Sequence, residues 1–319
     1  MTKGKKTLKI YHGIILALLT AGEIFIFSRY LGNWFGFYGT LISELILLLL
    51  AVGTVAAAGG DFRKVFPARK PKACQVFGTL VMWLGTFFVT MVVTMVLMLL
   101  FPREMTEVSQ GISESILSVP FFAAFVIVVI SPAVCEEAVF RGVVFNSLFR
   151  ARRNKWVPIV VTAFVFGAFH GSIWRFFPTF FLGIAMGYLL METGNIFYSV
   201  LFHGVNNFVS LCSSYIFQFF TKSYGTEDLS AIIEESNSLL EMPLYTAGQY
   251  LAFYGGSSIV LLYIGNYLIH KGQPGYRNGL FPREKQRTLL AIVAGAVSCV
   301  VAGIMLMTAG IALNGMDFF

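Results

Sequence analysis

From Ile10 onward the chain is a succession of apolar stretches, each close to the ~20 residues that a helix needs to cross a ~30 Å hydrocarbon core. Nine spans are expected, at 10–28, 37–58, 73–100, 117–148, 157–173, 176–192, 195–220, 247–269 and 288–313. Lipid offers no partner to an unpaired backbone N–H or C=O, so such stretches cross as helices or as closed barrels. Runs this long select the helix, since barrel strands need only about ten residues and alternate in polarity. The expected fold is therefore all-α, a polytopic membrane helix bundle of about eight to nine transmembrane helices, with residues 1–319 as a single integral membrane domain. Composition agrees: 12% of the residues are charged, against about 25% in soluble proteins. A mean hydropathy of +0.76 excludes an acidic disordered chain, a disulfide-stapled secreted domain and a soluble nucleotide-binding fold.

The fourth span is too long for one straight crossing and contains Pro132, which has no amide hydrogen for the helix ladder, so a kink or break is expected near Ser131. The first follows a basic start in the manner of a signal peptide. Its apolar run continues around Glu23 to Phe27 without a small-residue cleavage site, and it reads as a retained membrane helix. Gly183 and Gly187 form a GxxxG face suited to close helix packing.

The net charge of +7 follows membrane orientation rather than nucleic acid, because the basic residues lie in short runs between the spans. With the N-terminus inside, the inner segments hold 18 of the 23 Lys and Arg, in runs at Lys3 to Lys9, Arg63 to Lys72, Arg150 to Lys155 and Lys271 to Arg287. Arg29, Arg103, Arg175 and Lys222 fall outside, and Arg141 lies within the fourth span. The N-terminus is thus expected in the cytoplasm, and the C-terminus outside if there are nine helices. The bend at Glu192 to Asn195 should be inside yet has no basic residue, and is expected to turn tightly through Gly194. Outside, Glu227 to Glu241 alternates acidic and apolar residues like an amphipathic surface helix.

Ionisable groups inside a bilayer cost at least ~2.5 kcal/mol each on insertion scales, so each is a functional candidate. Most of them fall on three spans. The fourth carries Glu136, Glu137 and Arg141, the fifth His170, and the seventh His203, Asn206 and Asn207. Glu137 and Arg141 stand at i and i+4 with the glutamate N-terminal, the favourable order for an ion pair. Glu136 lies about 100° around the helix, facing another helix and free to serve as a general base. His203 and Asn207 present an imidazole and an amide on one face, and Phe166 and His170 repeat that spacing. Glu23 and Glu44 are single carboxylates without a companion motif. The four cysteines form no CxxC pair. Cys135 beside Glu136 could be a thiol nucleophile, although a free Cys in a membrane helix is usually packing volume.

The motifs EExxxR at Glu136, Glu137 and Arg141, FxxxH at Phe166 and His170, and HxxxN at His203 and Asn207 resemble the three signatures of the CAAX protease and bacteriocin-processing family, also called the Abi family. The resemblance is specific over about residues 115–210, the motif-bearing core, and only compatible elsewhere, including the C-terminal helices 247–319 and the apolar span after Thr288. It implies membrane endoproteolysis, which in the best-known members removes the tripeptide after a prenylated cysteine. Other bacterial members are linked to bacteriocin maturation, immunity or peptide signalling. Carried over, it makes Glu136 the base that activates water with help from His170, His203 and Asn207 the oxyanion hole, and Glu137 and Arg141 supports.

Two alternatives stand beside this reading. Glu136, His170 and His203 could instead hold zinc with water in the fourth position, but no HExxH is present and Asn207 is a poor zinc ligand, so a cofactor-free site is expected. A non-proteolytic immunity or scaffold protein, or a proton-coupled transporter, could use the same buried groups; a transporter would more often show paired halves, and no internal repeat is visible. The expected partners are a peptide or protein substrate at the membrane and the lipid bilayer, with no nucleic acid. A bacterial plasma membrane is the expected location, with a eukaryotic endomembrane as the alternative.

Overall fold

The computed structural model describes residues 6–149, 154–223 and 243–316. Its main elements are helices: α1 (Ile10–Phe35), α2 (Tyr38–Ala57), α3 (Ala73–Leu100), α4 (Pro102–Leu117), α5 (Phe121–Phe149), α6 (Trp156–Ala168), α7 (Ile173–Thr193), α8 (Phe197–Ser223), α9 (Pro243–Lys271) and α10 (Gln286–Met316). No strand occurs among the described residues. Seven of the helices, α1, α2, α3, α5, α7, α9 and α10, are long and apolar enough to cross a membrane. The protein is an all-α integral membrane bundle.

Two expected spans differ from that standard for local reasons. The fifth ends early: α6 has 13 residues because the chain turns at Gly171, whose φ of +67° suits a residue without Cβ. The seventh becomes α8, whose 27 residues suffice in length but are diluted by His203, Asn206, Asn207 and several serines. Residues 102–117, read from the sequence as part of a loop, form the exposed helix α4, begun by Pro102 at its first position. The acidic stretch from Glu227 to Glu241 lies outside the described residues.

Pro132 does not break the fourth span. α5 runs through it, with π-helical turns at Phe125–Ile130 and Ala138–Val144 flanking the α-helical Ser131–Glu137. The missing N–H falls where the hydrogen-bond register is already changing, and such wide turns gather at functional sites.

Central in the bundle is α5. Its Val139, Phe140 and Val143 pack with Leu16 of α1, Leu47 and Ala51 of α2, Phe166 of α6, Met186 of α7 and Phe202 of α8, all of them buried. The hairpin of α6 and α7 closes tightly where the GxxxG face was expected to pack: a Cβ on Gly183 would stand 3.0 Å from the Ala163 Cα. α3 lies along α9 with Gly78, Gly85 and Gly265 at the contact. α10 is outermost, packed on α9.

The basic loops meet at one end. Lys6 N–H donates to the Gly59 carbonyl at 2.9 Å, Lys72 Nζ to the Gly272 carbonyl at 2.7 Å, and Ile196 N–H to the Pro67 carbonyl at 2.9 Å. The bend after Glu192 turns through Gly194 at φ +60° and acquires its cation from Lys155, 2.7 Å from Glu192.

Candidate active site

Helix register places the first pair. Glu137 and Arg141, both fully buried, meet at 2.9 Å between Oε1 and Nη1. Arg141 Nη2 also donates to the Gly183 carbonyl at 3.2 Å, on the stretch of α7 that packs against Ala163 of α6. The guanidinium lies over the Phe166 ring, 4.4 Å from its centroid. An ion pair in hydrocarbon needs extra bonds of this kind to offset desolvation.

Glu137 also fixes a histidine. His203 Nδ1 lies 3.1 Å from Glu137 Oε1. An ionised carboxylate only accepts, so Nδ1 carries the hydrogen and Nε2 is left toward Glu136, 3.9 Å from its Oε2. His170 follows the same logic with a carbonyl: its Nδ1 donates to the Phe166 backbone oxygen at 2.9 Å, leaving Nε2 unbonded. The Phe166 ring packs edge-on against both imidazoles, with centroids 4.9 Å from His170 and 5.8 Å from His203.

Glu136 and His170 share the wall of a cavity of about 480 Å³ between α1, α2, α5 and the turn from α6 into α7. Glu136 remains 19% exposed, enough to meet water. Behind that wall, off the lining, sit Glu137, Arg141 and His203. Asn207 is one helical turn beyond His203, also off the lining, and its amide donates to the Val128 carbonyl of α5 at 2.9 Å. All seven motif residues therefore belong to one neighbourhood, while Asn207 is engaged with backbone. Cys135 is buried and free.

Three charged lining residues have no counterpart in the motifs. Glu44 reaches in from α2, buried to 7% exposure, and lines the same cavity as Glu136. Arg175 lies in the first turn of α7, where Ser172 caps the helix by accepting from Trp174 N–H, and interacts with Glu136 through charge. Arg29 comes from α1. Glu44 carried a signal, an in-span carboxylate. The two arginines looked like ordinary loop charges.

Among the described residues no group of three His, Cys, Asp or Glu side chains is drawn together at metal-ligand spacing.

With this geometry in hand, residues 118–209 match the family model described as type II CAAX prenyl endopeptidase Rce1-like. Over that segment the chain is similar to this family. The match holds all seven motif residues and begins at the turn into α5. It agrees with the resemblance read from the motifs and points to a membrane endopeptidase class acting on peptide or protein. No curated protein and no solved structure matches the chain.

Proposed function

We propose that the protein is an intramembrane endopeptidase in which Glu136 removes a proton from water while His170, with its bare Nε2, holds that water and relays the proton. The observation that carries this reading is that a carboxylate and an imidazole line the same cavity, the imidazole oriented by its bond to the Phe166 carbonyl and the carboxylate 3.9 Å from His203 Nε2. With both ring nitrogens protonated, His203 keeps Nδ1–H on Glu137 and offers Nε2–H to the developing oxyanion. Asn207 is the second donor once its amide turns from the Val128 carbonyl, a tightening of the kind expected when substrate arrives. Glu137 orients His203, and Arg141 holds Glu137. No step runs through a metal.

The cavity also has a direction. Its exposed lining residues, Arg29, Gly32, Thr40 and Gly171, lie at the end of the bundle opposite the basic loops. If those loops are cytoplasmic, as their charge predicts, substrate enters from the other side. The substrate is then an exported or membrane-resident peptide rather than a cytosolic prenylated protein, in keeping with a bacterial plasma membrane.

The test is a peptide library offered to either face of sealed vesicles, with products read by mass spectrometry. Wild type should cleave peptides presented at the face away from the basic loops, and Glu136→Gln should not. Full cleavage by Glu136→Gln would overturn the mechanism, and cleavage only from the basic-loop face would overturn the direction.

A further inference from the structure

Resting on the proteolytic reading, a second carboxyl group bears on the chemistry. Glu44 Oε2 is buried and meets no hydrogen-bond donor, and the same holds for Glu136 Oε2. The two side chains nonetheless line the one cavity from helices packed on each other, α2 and α5, and interact there. Ionised carboxylates can only accept and repel each other, so two that face each other, each with an oxygen that receives no hydrogen bond from the protein, are best satisfied by one proton held between them. The helices around the pair explain which oxygen keeps it. Glu136 faces His203 from α8 and Arg175 from α7, with Glu137 and Arg141 behind it on α5, whereas Glu44 faces Glu136 and Glu23 of α1. His170 and Arg29 complete the charged or titratable lining. Cations thus act on Glu136, whereas Glu44 meets the carboxyl groups of Glu136 and Glu23 and the Cys135 thiol. Glu23 is occupied elsewhere, accepting from Ser43 Oγ at 2.7 Å.

We propose that Glu44 and Glu136 form a carboxyl dyad sharing one proton, with Glu44 as the acid that protonates the leaving amine. The step balances. Water attacks the scissile carbonyl carbon, the new C–O bond forms, and its proton passes to Glu136, leaving a tetrahedral oxyanion. Glu44 then gives its proton to the amide nitrogen as the C–N bond breaks, releasing amine and acid. The proton on Glu136 crosses the shared hydrogen bond to Glu44, which restores the starting state with one water consumed. This assigns the proton donor that a base alone does not provide, and places it on a helix outside residues 118–209.

Two measurements on the full-length protein test it. Infrared spectroscopy at neutral pH should show a protonated-carboxyl stretch that disappears in Glu44→Gln, shifts in Glu136→Gln, and persists in Glu23→Gln, which removes only its own component. In peptide cleavage, Glu44→Gln should lower kcat about 10²-fold or more with KM little changed and should lose the alkaline limb of the pH profile, while Glu44→Asp recovers part of the rate. An unchanged carboxyl band in Glu44→Gln, or a kcat within about twofold of wild type with the same pH profile, would overturn the dyad. If wild type cleaves no peptide while the band behaves as described, the shared proton stands and both the proteolytic reading and the acid role of Glu44 fall.

Discussion

Helices α5 and α10 are close in length and both are strongly apolar, yet 56% of the α5 window is buried in the bundle against 6% for α10 over Gln286–Leu313. The more hydrophobic of the two is the less buried, with mean hydropathy of 2.6 for α10 and 2.0 for α5. In a soluble protein that order would be surprising. In a bilayer the lipid accepts an apolar surface as readily as a protein core does, so hydropathy reports only that a helix crosses. The interior position, where polar partners can be arranged and lipid excluded, is held by the helix with three ionisable side chains. α5 places chemistry, and α10 adds a wall to α9.

Substitutions on the two helices should separate accordingly. The largest effect is expected at Glu136: the change to Gln keeps the shape and removes the base, so cleavage should fall about 10²- to 10⁴-fold in a product assay while the protein stays in the membrane. Comparable loss from an apolar change on α10 would erase the distinction. Next comes Glu137→Ala, which strands Arg141 as a buried charge and releases His203; thermal unfolding in detergent should show a loss of about 3–5 kcal/mol, accompanied by loss of activity. The pair Glu137→Leu with Arg141→Met should regain much of that stability without regaining activity, because His203 still lacks its acceptor. A melt unchanged by Glu137→Ala would mean that the ion pair contributes little.

Val297→Ala on the lipid-facing side of α10 should be nearly silent, within ~0.5 kcal/mol in the same melt and within about twofold in cleavage. The smallest effect is expected from exhaustive chelation, which should leave cleavage unaltered if Glu136 with His170 activates water directly. Inactivation by chelator, restored by zinc and absent as bound metal in His170→Ala, would replace the glutamate mechanism with a metal one at the same residues.

Much of the architecture was legible before any coordinates. The apolar runs mark the helices, with α1 extended to Phe35 and α6 shortened by Gly171, and the i,i+4 spacing predicts the Glu137–Arg141 contact. Pro132 shows a limit of local reasoning. A proline argues for a break, but a switch of hydrogen-bond register lets the helix continue. Arg175 shows another: beside a loop it counts as an orientation charge, and only the turn at Gly171 brings it to the cavity that Glu136 lines.

What the sequence by itself determines is what local chemistry dictates: that the chain enters lipid, where its helices run, and which side chains share a helix face. Pairings between helices follow from how the bundle closes, and the tertiary structure alone decides them. It brings His203 to Glu137 across 66 positions, turns the Asn207 amide to a backbone carbonyl, and sets Glu44 against Glu136 from a helix that carries no motif. The physical reason is range. Backbone hydrogen bonding and hydropathy act within a segment, whereas a proton shared between two carboxyl groups depends on a contact between helices far apart in the chain.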